Sequence, residues 1–370
     1  MIQTVEETPR AVDSTDGAAR AGFDGARAFG AMRGGFEQAA ACNPESVRET
    51  FYTFGGQTVR MRVVGRELAD HVCRPFSHLL TGAPVSAAPE LTIDLWDENE
   101  TGIRRQVGSR DGNHKWTELT ETSADGRYIG QQLPNTLSCF DREERHIIGS
   151  IKWHDSIFIY ERGKPLARPL LEWHNDRAIQ VIHAGLISLN GTGVLLVGKS
   201  GSGKSTTALA CLDAGFHFLS EDYVGLQRSA AGSFVGHSIY NSVFLETGHL
   251  ARFPRLASHV QKGGPTDEKS LVILSQVWPE RLERTAPIRA LLLPRVVDAP
   301  ESVVRPASKS ETILSLGPSS LIQIPSRGVS GFSILTELVE RVPSYWLELG
   351  RDLESIPRCV EELVDSVGSR

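Results

Sequence analysis

Residues 195–209 read LLVGKSGSGKSTTAL: an apolar run enters a glycine-rich loop, and a lysine, hydroxyl residues and a helical pattern follow. Residues 198–205 match GxxxxGK[ST] in full, with a strand pattern before and a helix pattern after, the context in which such a loop holds phosphate. Glycines at Gly198, Gly201 and Gly203 let the backbone curl until successive N–H groups point inward at anionic oxygens. The helix that starts there adds partial positive charge at the same point. On this reading Gly198, Lys199, Ser200, Gly201, Ser202, Gly203, Lys204, Ser205 and Thr206 form a nucleotide-phosphate cradle. Lys204 reaches the β- and γ-phosphates, and the Ser205 hydroxyl is a magnesium ligand.

Working outward, SEDYV (residues 220–224) supplies a second element. A helix of about 12 residues descends roughly 18 Å, and a strand of about six residues climbs back roughly 20 Å. If residues 215–221 form that strand, Glu221 and Asp222 return to the level of the loop, at the carboxyl end of the neighbouring strand. Two adjacent carboxylates there repel each other unless a cation or a proton intervenes.

The remainder from residue 181 to 370 alternates strand and helix patterns. AIQVIHAGLISL, FHFLSEDYVGL, SVFLE, SLVILS and IRALLLP read as strands; ILTELVERV and IPRCVEELVDSV read as helices around the strand SYWLELG. This implies an α/β nucleotide-binding domain. Before it, residues 48–165 read as a smaller strand-rich α+β domain. FYTFGGQTVRMRVV gives two strands around Gly55-Gly56, ELTIDLWD and DSIFIYERG two more, and ELADHVCRPFSHLL a helix. Residues 166–180 read as a connecting helix, with Leu166, Leu170, Leu171 and Ile179 at roughly helical spacing. Residues 1–47, rich in Ala, Gly and charge, read as a mostly disordered tail with room for a short helix near 23–40.

Composition narrows the classes of function. With 39 Lys+Arg against 45 Asp+Glu, the net charge of −6 offers no basic footprint for nucleic acid. No apolar run approaches the roughly 18 residues that span a bilayer, and the polar, acidic N-terminus MIQTVEETPRAVDSTDG is unlike a secretion signal. The five cysteines are scattered without a CxxC pair, which fits reduced thiols rather than a disulfide framework or a zinc site. A cytoplasmic protein is expected, acting without nucleic acid or membrane.

From residue 181 to 226 the sequence resembles the HPr serine kinase/phosphorylase family, and more closely HPr-kinase-like relatives, some of them in peptide or polysaccharide biosynthesis clusters. A histidine 21 residues before the loop lysine (His183) and an acidic pair 17 and 18 residues after it (Glu221, Asp222) are features of that family. The resemblance implies a P-loop domain of the HPr-kinase C-terminal and phosphoenolpyruvate-carboxykinase-like type, using ATP and Mg2+. It implies Asp222 as the group that accepts the proton of an attacking seryl hydroxyl, with His183 beside it and Glu221 as the other acid. Glu246, 42 residues after the loop lysine, falls at the family's magnesium-binding glutamate. The acidic pair is Glu-Asp where the family has Asp-Asp, ETGHL lacks the family's arginine and glycines, and the arginine-bearing segment for the reverse reaction has no counterpart. Related kinases assemble into hexamers or smaller oligomers, so a homo-oligomer is an open expectation.

The expected function is thus an ATP-dependent kinase acting on a hydroxyl, foremost a serine, of a protein or precursor peptide. The alternatives are a nucleotide-binding regulatory or assembly module without kinase turnover, and a partner-stimulated NTPase. The residues do not distinguish ATP from GTP. Lys269, in KGGPTDEKS, is expected in a mobile loop; Arg289 and Arg295 are expected to be structural; Trp173 and His174 are expected on the connecting helix, and Cys211 in the core.

Overall fold

The computed structural model describes residues 23–84, 88–106, 119–263, 269–322 and 329–368. Its first sheet has eight strands: β1 (Val47–Phe54), β2 (Gln57–Val64), β3 (Leu80–Thr81), β4 (Leu91–Asp97), β5 (Leu119–Thr122), β6 (Tyr128–Gln132), β7 (Thr136–Asp141) and β8 (His146–Ile151). They lie in the order β3-β1-β2-β4-β8-β7-β6-β5, with the pairs β2–β4 and β4–β8 parallel and the others antiparallel. Alternation along each strand feeds two faces. Val63, Leu95 and Ile147 join one buried cluster, while their neighbours Val64, Trp96 and Ile148 join another.

The second cluster is closed by helix α1 (Gly25–Cys42), which presents Phe29, Met32, Phe36 and Ala39 to the sheet. Spacings of three and four residues put these on one helical face. Asp24 caps the helix by accepting from the Arg27 amide at 3.1 Å. The short helix allowed near 23–40 is present over residues 25–42, and the disordered tail expected through residue 47 is corrected there: the helix packs, because four apolar side chains find a sheet face to cover. Residues 1–22 lie outside the described residues. A second correction concerns DSIFIYERG, read as a strand. It forms a 3-10 turn (His154–Ser156) and a short helix, Ile159–Gly163. The opposite face of the sheet is covered by helix Arg66–Cys73, a 3-10 segment (Arg74–Leu79) and helix Ala167–Asp176, the last within the expected connecting segment.

The second sheet contains β9 (Gln180–His183), β10 (Gly185–Leu189), β11 (Thr192–Leu196), β12 (His217–Ser220), β13 (Tyr223–Arg228) and β14 (Phe234–Ser238). A three-stranded sheet follows, built from β15 (Ser242–Glu246), β16 (Gln261–Lys262) and β17 (Lys269–Ile273). The second sheet is completed by β18 (Thr285–Val296), β19 (Val303–Pro306) and β20 (Ser344–Leu349), and its order runs β12-β10-β11-β18-β14-β13-β9 with β20 and β19 beyond β18. Helix Lys204–Asp213 and helix Ser355–Gly368 pack on one face, with Ala208, Leu212, Ile356 and Val360 in one cluster. Helices Lys309–Ile322 and Val329–Arg341 cover the other, through Leu316, Leu335 and Leu338. A mixed α/β architecture results, with helices on both faces of this sheet.

The two large sheets share a core. Tyr52, Phe54 and Phe76 from the first meet Trp173, Val181, Ile239 and Tyr240 in one buried cluster. Hydrogen bonds tie the same seam: the Tyr240 hydroxyl donates to the Pro165 carbonyl at 2.9 Å, the Ser242 hydroxyl to the Gly163 carbonyl at 2.6 Å, and the Asn241 amide to the Pro75 carbonyl at 2.9 Å. Among the described residues no helix is long and apolar enough to cross a membrane.

Candidate functional site

The loop between β11 and helix Lys204–Asp213 makes its turn on glycines in the left-handed region. Gly198 has φ 154°, Gly201 φ 76° and Gly203 φ 108°. At Gly203 the φ favours glycine, and a Cβ would lie 2.3 Å from Leu349 Cδ1, so the end of that side chain would have to shift. The Lys204 ammonium folds over the loop, donating to the carbonyls of Gly198 at 2.6 Å and Lys199 at 3.2 Å. Burial lowers its pKa, against the opposing pull of Asp222 and Glu221, so the ammonium is poised for an anionic partner.

The acid pair sits where two ribbons change partners. Residues 180–189 and 217–228 run antiparallel, Leu186 opposite Ser220 and His183 opposite Tyr223. Between these pairs the strands part: β10 continues toward β11, and β13 toward β14. Glu221 and Asp222 occupy the gap, with the Ala184 amide donating to the Asp222 carbonyl at 3.0 Å. β12 is not the strand next to β11; β10 intervenes. Since β10 is antiparallel to both, β11 and β12 point the same way and their carboxyl ends share one rim. The reach predicted from helix and strand rise is met, one strand further across: the Ser205 hydroxyl donates to Glu221 Oε1 at 2.6 Å.

Each carboxylate has its own environment. Glu221 is buried, and its second oxygen accepts from the Phe244 amide at 3.2 Å. Burial raises its pKa, helped by the Asp222 charge and opposed by Lys164. Asp222 is partly exposed and held from two sides. His183 Nε2 lies 2.9 Å from Oδ1, and the Lys164 ammonium is bonded to Oδ2. Burial pushes the Asp222 carboxyl upward, but the Lys164 charge, followed by the His183 hydrogen bond and charge, overrides it and holds the group well below the usual carboxylate range. Lys164 was not singled out in the sequence. It follows the helix Ile159–Gly163, carries no motif, and its ammonium lies 4.8 Å over the Tyr223 ring and 5.0 Å over the Phe244 ring.

Lys199, Ser200, Gly201 and Gly203 of the glycine loop line one cavity of about 720 Å³ with Lys204, Ser205, Thr206, His183, Glu221, Asp222 and Glu246, whereas Gly198 and Ser202 do not line it. Glu246 is at its rim, 56% exposed, with His249 Nε2 3.9 Å from its Oε2. Arg252 and Arg351, also unmarked in the sequence, line the same cavity. Lys269 is not in a loop: it begins β17 opposite Glu246 and lines the cavity too, while residues 264–268 fall outside the described residues. Arg295 stacks over Trp346 at 4.4 Å and bonds Glu348 at 2.5 Å, away from the site. Arg289 is exposed on the wall of a different depression. Trp173 and His174 are buried in the seam between the sheets, and Cys211 is buried as expected. Ser205, Glu221 and Glu246 offer only hard oxygen donors, two of them already adjacent, a set that suits magnesium.

Residues 177–247 match the family model described as the HPr Serine kinase C-terminal domain. A putative HPr kinase/phosphorylase of Fusobacterium nucleatum is 43% identical over 65 residues, which is 18% of this chain and 11% of that protein. The HPr kinase/phosphorylase of Bacillus pumilus is 42% identical over 55 residues, 15% of this chain and 18% of that protein. The chain thus spans less than a fifth of the length of these relatives. The HPr(Ser) kinase/phosphatase from Coxiella burnetii aligns with 14% identity and a TM-score of 0.28, covering 50% of this chain and 95% of that chain. Over the loop and the acid pair, the resemblance to HPr-kinase-like proteins seen in the sequence is borne out.

Proposed function

We propose that this chain is an ATP-dependent kinase that transfers the terminal phosphate to a hydroxyl, serine foremost, of a protein or peptide. The observation that carries the reading is the convergence of Ser205, Glu221, His183 and Asp222 beside the glycine loop, with contacts of 2.6 and 2.9 Å. The loop amides and Lys204 hold the β- and γ-phosphates. Ser205, Glu221 and Glu246 would hold Mg2+, which when bound neutralises phosphate charge. Asp222 orients the acceptor hydroxyl. Its depressed pKa makes it a weak base, which suits phosphoryl transfer through a loose transition state, where positioning outweighs early proton removal. His183, on the other side of Oδ1, takes part in passing the proton on.

The test is incubation with γ-labelled ATP, magnesium and candidate protein or peptide acceptors. Asp222→Asn is expected to lower transfer by about 10²–10⁴-fold, the usual worth of a positioned base, with nucleotide binding retained. Label released only as phosphate would make the chain an NTPase, and tight binding without turnover would make it a regulatory module. Either result overturns the kinase reading.

A further inference from the structure

A second cavity, of about 410 Å³, meets the first at the acid pair. The two share Glu221, Asp222, Phe244 and Lys269, but no residue of the glycine loop reaches the second. Its walls come from the first sheet, through Leu133, Thr136 and Ser138, and from the segment that carries Tyr160, Lys164 and Leu166. We propose that this cavity receives the phosphate acceptor, a hydroxyl borne on a small apolar or aromatic body. The proposal rests on the phosphotransfer reading above.

Five observations support it. In-line transfer requires the acceptor to approach the terminal phosphorus from the side opposite the leaving diphosphate. The diphosphate belongs to the loop, so the acceptor must come past Asp222, and the second cavity opens there. Asp222 is addressed from both sides, by His183 in the first cavity and Lys164 in the second. The volume falls within the roughly 300–1,000 Å³ of small-ligand pockets and admits a side chain or a small molecule. Tyr160, 47% exposed, stacks on Phe244 at 4.9 Å and gives an apolar body an aromatic wall. The Thr136 side chain lines the cavity, and its buried hydroxyl oxygen has no hydrogen-bond partner within the chain, so rotation about χ1 can offer that hydroxyl to an occupant.

In the reaction, the acceptor oxygen bonds to the terminal phosphorus as the bond from that phosphorus to the bridging oxygen breaks. The nucleoside diphosphate leaves with the electron pair, and the hydroxyl proton passes to the Asp222–His183 pair. The products are a phosphate monoester, a nucleoside diphosphate and a proton.

The experiment uses the full chain, Leu133→Trp and Thr136→Val, with γ-labelled ATP, magnesium and three probes: N-acetyl-Ser-Phe-amide, N-acetyl-Phe-Ser-amide and 2-phenylethanol. The expected result is label on at least one probe in the unaltered chain. Leu133→Trp should raise the acceptor KM about tenfold or more by filling the cavity. Thr136→Val, isosteric and safe for the fold, should raise it about 2–10-fold through one lost hydrogen bond. The nucleotide KM should move by less than about twofold in both. Label on the dipeptides alone identifies a peptide as the source, and label on 2-phenylethanol alone a small alcohol; both support the assignment. Nucleotide turnover with no probe labelled, or labelling that neither variant alters, overturns the cavity assignment and leaves the phosphotransfer reading intact. No turnover of any kind in the unaltered chain overturns both.

Discussion

Asp222 is gripped by a lysine and a histidine that reach it from different parts of the chain, and the Lys164 charge is the largest single influence that lowers its pKa. Removing that charge in Lys164→Met leaves burial, which raises the Asp222 pKa, opposed by His183 alone. A carboxylate that must be ionised then protonates earlier as the solution is acidified. The acid limb of the pH–kcat profile is expected to move upward by about 1–3 pH units, the range for losing one close opposite charge. An unmoved limb would show that Lys164 does not control this group. His183, Glu221 and Asp222 were legible in the sequence because each stands at a fixed distance from the loop lysine. Lys164 was not, since its partner lies 58 residues away and only tertiary packing brings the two together.

At the level of elements, the loop conformation depends on Gly203, where a left-handed φ coincides with close contact to Leu349. Gly203→Ala is expected to cost about 1–3 kcal/mol of stability from backbone strain, and more if Leu349 cannot yield. Denaturant unfolding measures that loss. Titration with a fluorescent ATP analogue should show binding weakened beyond what the fraction unfolded explains. The strand–loop–helix unit was legible because its residues dictate backbone geometry locally. Helix α1 was only half legible: Gly30, Gly34 and Gly35 dilute its helical pattern, yet Gly35 is where the helix comes close to Trp96, with only 3.1 Å for a Cβ. DSIFIYERG misled because Ile157 and Ile159 are buried around a helical turn instead. Ile159 packs there with Phe244 and Leu271, and propensity yields to that contact.

Across the whole molecule, the shared cluster makes the two large sheets one folding unit. Phe54 is fully buried and packs edge-on to both Phe76 and Trp173 at ring-centroid distances of 5.4 and 6.4 Å. Phe54→Ala is expected to cost about 3–5 kcal/mol. If the core is continuous, the far-UV dichroism and tryptophan fluorescence transitions should shift together, in the variant as in the unaltered chain. Two separated transitions would show that the sheets fold independently. Composition and periodicity announced two regions but not this fusion, because the residues that make it, such as Tyr52, Ile239 and Tyr240, sit on strands and linkers whose partners the sequence does not name.

The same seam has a consequence for selectivity. The hydrogen bonds from Tyr240, Ser242 and Asn241 and the aromatic packing behind them fix one wall of the second cavity against the other at the moment of folding. Its aperture is set by these contacts. On the acceptor assignment proposed above, such an opening discriminates as a rigid sieve does, by admitting or refusing a shape. A broader acceptor range would then come from trimming the turn at residues 133–135, not from loosening the machinery that handles the phosphate.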